Sequence, residues 1–161
     1  MIIELATKSD LKCIMEIYQS AIQYMNANGN PNQWINGYPG EDVVINDIDL
    51  KQLYLCKNEQ NEIVAVFCYF VGEEETYSEI YEGQWMNNNP YGVIHRIASN
   101  GKVKRIADYC INWCFTKHPN MKIDTHEDNI TMQNVIKRCG FQYCGIIKCS
   151  NGSLRLAYQK I

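Results

Sequence analysis

The chain has 161 residues, of which 46% are hydrophobic and 20% charged, and its formal net charge is −3 at pH 7. This length suits a single domain with a sizeable core, which we place at residues 1–161, and the composition excludes a disordered chain. The pI of about 5.6 gives no indication of the excess of basic residues that nucleic-acid-binding proteins carry. No apolar run reaches the roughly 18 to 20 residues of a membrane helix, and the first residues lack a signal-peptide pattern. We therefore expect a cytoplasmic protein with neither a nucleic-acid nor a membrane partner.

Eight cysteines raise the question of a disulfide framework or a metal site. No Cys-x-x-Cys pair occurs, and most of the cysteines lie inside apolar segments, where a free thiol packs like a small hydrophobic group. Without a secretion signal, reduced core thiols are the favoured interpretation. We expect no metal, and a thiol-redox protein is the weaker alternative.

The first part of the chain predicts one strand and two helices around a long loop. Ile2–Leu5 predicts an edge strand, and apolar residues at helical spacing from Leu11 to Met25 predict a helix with one buried face. Acidic residues favour a second, short helix over Glu41–Leu50. The loop between the helices, Asn26–Gly40, is dense in Asn, Gly and Pro.

Bulky side chains in irregular segments are candidates for lining a binding pocket. Gln33, Trp34 and Tyr38 lie in the first loop, and Trp85 lies in a second irregular stretch, Tyr77–Pro90. Such residues either pack over the core as a lid or line a pocket, and both interpretations stay open.

The middle of the chain predicts the centre of a sheet. Leu53–Cys56 and Ile63–Val71 predict a hairpin, and the unbroken apolar run of the second strand indicates that both of its faces are covered. Tyr91–Ala98 predicts the next strand, and a helix follows to about Lys117. His95 lies inside that strand, where a polar side chain needs a partner.

A strand, a helix and another strand follow in the last third of the chain. Met121–Thr125 predicts a strand, and a polar turn leads to a helix that Gly140 ends, because glycine readily takes a positive φ. Phe141–Ile147 and Leu154–Tyr158 predict the last two strands. This alternation favours an α/β fold and makes the turn before the helix a candidate ligand site.

The phrase DTHEDN…MQ…GF…YCGI, with Asn129 and Gly140-Phe141 at matching positions, resembles the last conserved block of the GCN5-related N-acetyltransferase (GNAT) superfamily. The predicted order β-α-α-β-β-β-α-β-α-β-β is also the order of that fold. The resemblance implies an α/β domain with a mixed, mostly antiparallel sheet, helices on both faces, and splayed fourth and fifth strands. Acetyl-CoA would lie in the cleft between Val93–Ala98 and Lys122–Thr125.

The resemblance also implies a function. It predicts an N-acetyltransferase that transfers the acetyl group of acetyl-CoA to a primary amine of a small molecule or peptide, by direct attack in a ternary complex. A non-catalytic acyl-CoA-binding or regulatory relative is the alternative. The sequence leaves the acceptor and the assembly open, a homodimer included.

The family holds the pyrophosphate of its cosubstrate on a loop of pattern Gln/Arg-x-x-Gly-x-Gly/Ala. In the best register Lys102 takes the first position, Arg105 the first glycine and Ala107 the second, and only Ala107 matches cleanly. Lys102, Lys104 and Arg105 lie at a helix start, where positive charges are unfavourable because of the helix dipole. A bound phosphate would offset this cost, so we favour phosphate binding over a solvated basic turn. The residues expected to bind acetyl-CoA are Ile97, Ser99, Lys102, Val103, Lys104, Arg105, Ala107 and Asn129.

His95 is the predicted general base, because imidazole can take the proton of an attacking ammonium near neutral pH; a hydrogen-bonded core histidine is the alternative. Family members often carry a tyrosine seven residues after the helix Asn, as general acid for the leaving thiolate. Ile136 occupies that position here, and Tyr143 is the predicted substitute, with Cys144 as another. Gln33, Trp34, Tyr38 and Trp85 are the predicted acceptor-binding residues.

Overall fold

A computed structural model describes residues 1–161 as seven strands and four helices, in the order that the sequence predicts. The strands are β1 (Ile2–Leu5), β2 (Leu53–Lys57), β3 (Ile63–Val71), β4 (Gly92–Ser99), β5 (Met121–Thr125), β6 (Gln142–Lys148) and β7 (Leu154–Lys160). The helices are α1 (Leu11–Ala27), α2 (Glu41–Asp49), α3 (Ile106–Lys117) and α4 (Ile130–Arg138). Short 3-10 turns occupy Lys8–Asp10 and Glu75–Tyr77.

All strands form one sheet in the order β1-β2-β3-β4-β5-β7-β6. Its pairings are antiparallel except for β4 and β5, which run parallel and pair at three positions only, from Gly92↔Met121 to Ile94↔Ile123. Beyond Ile94 the two strands separate, which confirms the predicted splay. One edge of residues 95–99 therefore faces an opening rather than a neighbouring strand.

A bulge in β4 lies beside this opening. His95 pairs with Cys68 and Ala98 with Val66, so two residues of β4 oppose one residue of β3. Within the bulge Arg96 takes a positive φ of 50°, a conformation that is uncommon for a residue with a side chain. Bulges bend a strand and re-aim its side chains, and this one interrupts the alternation that the sequence predicts after His95.

Helices cover both faces of the sheet, as predicted. On one face α1 and α2 contribute buried residues such as Tyr18 and Val44 to an apolar cluster. On the other face α3 and α4 contribute residues such as Ile111 and Ile136 to a larger cluster. The eight cysteines are unpaired and six of them are buried, in agreement with the prediction of core thiols. None of the four helices has the length and apolar character needed to span a bilayer.

Helix α3 begins later than the sequence predicts. Residues 100–105 form a turn instead of a first helical turn, and the side chain of Asn100 accepts a hydrogen bond from the N–H of Lys102 at 3.1 Å. Arg105 precedes the helix in the left-handed conformation, with φ 58°. Arg105 therefore has a backbone conformation that favours glycine, although the residue is not glycine.

Candidate active site

A cavity of about 1090 Å³ opens where β4 and β5 separate. Its walls are the end of β4, the end of β5, the start of α4 and the loop between α1 and α2. The opening in the sheet connects the α1–α2 side with the α3–α4 side. A ligand that lies in it can reach both faces of the sheet.

His95 lies in this cavity between two carboxylates from other elements. Its Nε2 is 2.9 Å from Oε2 of Glu74, in the turn after β3, and its Nδ1 is 3.9 Å from Oδ2 of Asp124 on β5. Tyr77 donates its hydroxyl to the same Asp124 oxygen at 2.6 Å. Thr76 fixes Glu74 through its hydroxyl and its N–H, at 3.1 and 3.3 Å. The imidazole is thus held on both sides.

The charge of Glu74 decides which imidazole nitrogen carries the proton. The hydrogen bond with His95 lowers the pKa of Glu74 to about 2, although burial opposes that shift. An ionised carboxylate only accepts hydrogen bonds, so Nε2 of His95 carries the proton. When the ring is neutral, the lone pair is on Nδ1. A carboxylate that orients an imidazole in this way is a common arrangement for a general base.

Arg96 joins three elements on the α1–α2 side of the cavity. Its Nε and Nη2 donate to the two oxygens of Asp47 on α2, both at 2.8 Å, and its Nη1 donates to the hydroxyl of Tyr38 at 3.0 Å. Burial raises the pKa of the Asp47 carboxyl, and the Arg96 guanidinium opposes that shift. The carbonyl of Arg96 accepts a hydrogen bond from Tyr18 of α1. The bulge is therefore fixed by partners on both helices.

The predicted loop residues Gln33, Trp34 and Tyr38 line the cavity. The indole of Trp34 packs edge-on against Tyr38, with ring centroids 6.5 Å apart. The side-chain oxygen of Gln33 accepts hydrogen bonds from Asn30 at 3.0 Å and from Asn129 at 2.8 Å. The loop is therefore tied to the start of α4 across the cavity, which makes it a wall of the site.

Trp85 does not join that wall, contrary to the prediction. Its indole donates to the carbonyl of Tyr77 at 2.9 Å, and its ring packs against Tyr77 and the amine of Lys122. Trp85 therefore packs against the irregular segment after β3, outside the cavity. The sequence places it in an irregular segment but cannot show which way its side chain faces.

The predicted general acid also lies outside the cavity. Tyr143 on β6 is 52% exposed and packs edge-on against Tyr158, while Ile136, where the family often has a tyrosine, is fully buried in the core. Cys144, the other substitute, is buried on β6 and does not reach the cavity either. The tyrosines that do line the cavity are Tyr24 and Tyr38.

Ile97, Ser99, Ala107 and Asn129, four of the predicted cosubstrate residues, line the cavity. The side-chain oxygen of Asn129 caps α4 by accepting from the N–H of Met132 at 3.0 Å. Asn129 is therefore both the N-cap of α4 and a residue of the cavity wall.

Thr125, which was not among the predicted site residues, also lines the cavity. It is fully buried, and its hydroxyl has no hydrogen-bond partner in the protein. A buried polar group without a partner is unusual in folded proteins. Its position on β5, at the opening, makes it a candidate to bind a ligand.

The start of α3 presents a run of free backbone donors. No loop carbonyl or side chain accepts from the N–H groups of residues 103–105 or of the first helical turn, and the first-turn groups have no partner inside a helix. Such a run at a helix N-terminus suits an anion. Ala107, in this turn, lines the cavity.

The side chains of the predicted basic loop are arranged differently from the prediction. Lys102 pairs with Glu62, and Arg105 pairs with the buried Asp108. Neither Lys102 nor Arg105 lines the cavity. Val103 packs against the α3–α4 core. Lys104 is exposed and makes no ion pair, so it is the one cation of the loop without a protein partner.

Solved structures similar to this chain include acetyltransferases of the GNAT family. A GNAT-family acetyltransferase from Streptococcus agalactiae is 32% identical over 99% of this chain and 94% of its own, with a TM-score of 0.91. A GNAT-family acetyltransferase from Listeria monocytogenes is 19% identical over 99% and 93%, with a TM-score of 0.69. A phosphinothricin acetyltransferase of the same superfamily from Sinorhizobium meliloti, solved in complex with AcCoA, is 12% identical over 99% and 86%, with a TM-score of 0.65.

No protein-family model matches the chain, and no curated protein does. The likeness to the streptococcal structure covers nearly the whole of both chains, and the likenesses at lower identity support the same fold. Together with the splayed strands, this likeness shows that the chain belongs to the GNAT family of acetyltransferases.

Proposed function

We propose that this protein is an N-acetyltransferase that moves the acetyl group of acetyl-CoA to the primary amine of a small molecule or peptide. The observation that carries the proposal is the opening between β4 and β5, which has an oriented imidazole on one side and free helix N–H groups on the other. A buried hydroxyl without a partner at Thr125 and free donors at the start of α3 are features that a pantetheine arm and its phosphates would satisfy.

In the proposed reaction the amine attacks the carbonyl carbon of the thioester, a C–N bond forms and the C–S bond breaks. The attacking amine must first lose its ammonium proton. His95 takes that proton on Nδ1, because Glu74 holds the other nitrogen in its protonated form. Catalysis otherwise comes from holding the two substrates together in the cavity.

The nitrogen that has attacked carries one proton more than the amide keeps, and the leaving thiolate needs one. Tyr38, which replaces Tyr143 as our candidate donor, gives its proton to the thiolate and is reprotonated by the proton that the nitrogen loses. The hydroxyl of Tyr38 accepts a hydrogen bond from Arg96, so its own proton stays free to be donated into the cavity. Tyr38 is therefore assigned two roles, lining the acceptor pocket and protonating the thiolate.

A turnover assay tests the proposal. Release of free CoA thiol is followed with acetyl-CoA and a panel of amines and peptides, for the native protein and for His95→Ala. We expect amine-dependent release that the substitution lowers by about 100-fold or more, with unchanged acetyl-CoA affinity by calorimetry. We also expect turnover to be insensitive to a metal chelator.

The non-catalytic alternative predicts a different pattern in the same assay. Acetyl-CoA would bind at sub-millimolar concentration while CoA release stayed at background with every amine. The absence of any binding would overturn both interpretations.

A further inference from the structure

Arg155, on β7, is a buried cation in the wall of the cavity that has no acidic partner. It is 6% exposed, and its guanidinium donates to the hydroxyl of Ser153, to the carbonyl of Leu154 at 2.9 Å and to the carbonyl of Gln33 at 3.1 Å. All three acceptors are neutral oxygens. No carboxylate lies within 4 Å, in contrast to Arg96, which is held by Asp47.

A buried charge without a counter-charge is costly, and this one also has unused donors. A guanidinium has five N–H groups. In Arg155 three of them donate to the protein, namely the two on Nη1 and one of the two on Nη2. The N–H of Nε and the second N–H of Nη2 have no acceptor. Nε and Nη2 are the two nitrogens with which Arg96 holds both oxygens of Asp47, and a carboxylate suits such a pair.

The strand register places Arg155 on the same face of the sheet as the His95 cluster. Arg155 and Ala157 alternate onto one face of β7, and Ala157 pairs with Asp124 of β5. Arg155 and Asp124 both act on the thiol of Cys149. Burial raises the pKa of this thiol, Arg155 lowers it, and Asp124 raises it. The cavity therefore carries two carboxylates, Asp124 and Glu74, and a cation, Arg155, that is not paired with either of them. We call these the acidic end and the cationic end of the cavity.

We infer that the acceptor is a small amino acid, whose carboxylate binds Arg155 while its amine lies at the acidic end beside His95. This inference rests on the proposed function and narrows its acceptor class. A carboxylate would supply the counter-charge that the protein does not provide. The acidic end suits the ammonium form of the incoming amine, and His95 then takes the proton.

Arg155 can instead serve only to hold the loop that carries Gln33. The two roles predict different results. A purely structural arginine would affect all amine acceptors equally when it is replaced, since it would act through the shape of the pocket. A carboxylate-binding arginine would affect only those acceptors that carry a carboxylate.

The test compares free amino acids with the corresponding amino-acid amides, which keep the amine and lose the negative charge. Acceptors are the common amino acids together with β-alanine and 4-aminobutyrate, whose longer spacings measure the distance between the two ends. For the native protein we expect kcat/KM to favour the best acid over its amide by roughly tenfold or more, since a charged hydrogen-bonded contact is lost.

Arg155→Gln and Arg155→Lys are then measured against the same pairs, with Arg138→Gln as a matched control. Arg138 binds Asp108 away from the cavity. We expect Arg155→Gln to remove the preference, Arg155→Lys to keep part of it, and the control to keep all of it. Calorimetry with acetyl-CoA identifies variants that still fold. If neither Arg155 variant folds, the preference of the native protein decides alone.

The outcomes separate this inference from the proposal on which it rests. Amides used as well as acids by the native protein, or an equal loss for both classes in Arg155→Gln, would overturn the amino-acid inference and leave acetyl transfer standing. Acetyl-CoA binding with no turnover of any amine would overturn the proposed function itself.

Discussion

Removing the hydroxyl of Thr125 gives the most discriminating test, because it should raise the stability of the free protein and lower the affinity for acetyl-CoA. The side chain is fully buried and its oxygen has no partner. Thr125→Val keeps the shape of the side chain and removes the hydroxyl. If that hydroxyl waits for a ligand, the free protein should become more stable while acetyl-CoA should bind more weakly.

The expected sizes follow from the cost of an unsatisfied buried group. Such a group costs about 1–3 kcal/mol, and for a chain of this size each kcal/mol moves the melting temperature by about 2–4 °C. We therefore expect Thr125→Val to melt roughly 2–12 °C higher than the native protein. A neutral hydrogen bond contributes about 0.5–1.5 kcal/mol, so the Kd of acetyl-CoA should rise about 2- to 13-fold.

Thermal melts and calorimetric titrations with acetyl-CoA measure both effects on the same samples. Thr125→Ser is the matched control, since it keeps the hydroxyl and should keep most of the affinity. A Thr125→Val variant that melts below the native protein, or that binds acetyl-CoA as tightly, would show that this hydroxyl does not serve the cosubstrate.

Three further substitutions test the catalytic base, a buried lysine and the phosphate site. Glu74→Gln should lower kcat for CoA release by about tenfold or more without changing acetyl-CoA affinity, because a neutral amide cannot hold His95 as the carboxylate does; an unchanged kcat would contradict this role. Burial lowers the pKa of Lys122 to about 8 from 10.5, so the native state releases this proton at lower pH than the unfolded chain does, and the stability of the native protein should rise between these pH values. The urea midpoint of Lys122→Met should not show that rise. The same pH dependence in the variant and the native protein would refute this prediction. Lys104→Met should weaken acetyl-CoA binding by about threefold to fivefold at low salt. Lys102→Met is the control, because it removes a lysine that is paired with Glu62, and it should not weaken binding. Equal effects of the two substitutions would argue against a specific contact between Lys104 and the phosphates.

The order of elements could be predicted from the sequence because it depends on local patterns, whereas the position of the opening was implied by the resemblance to the GNAT family. The apolar run of β3 and the left-handed Gly140 after α4 are short-range signals that the structure confirms. Asn129 at the head of α4 follows from the same kind of signal.

The partners inside the site depend on long-range packing and could not be predicted in this way. Glu74 appears in the sequence as one of several acids after a strand, and only the fold brings it to His95, 21 positions later. The bulge at Arg96 breaks the alternation that assigns side chains to faces. No local sequence pattern distinguishes Arg155, because its distinctive feature is that the fold places no carboxylate beside it.

Errors in the predicted site came from irregular or exposed segments. Trp85 and Tyr143 are large and aromatic, which made them candidates, but neither lies on the cavity wall. The basic loop was predicted to bind phosphate through its side chains, whereas Lys102 is paired with Glu62 and Arg105 with Asp108. In that loop the free backbone N–H groups are the better candidates, and a sequence does not show which of these are free.

A crystal structure of the complex with CoA tests the central claim most directly. We predict that the pantetheine arm lies between residues 95–99 of β4 and the end of β5 at Thr125, with the pyrophosphate on the N–H groups of residues 103–108. CoA bound elsewhere on the protein, or strands β4 and β5 paired along their whole length in the crystal, would contradict the account.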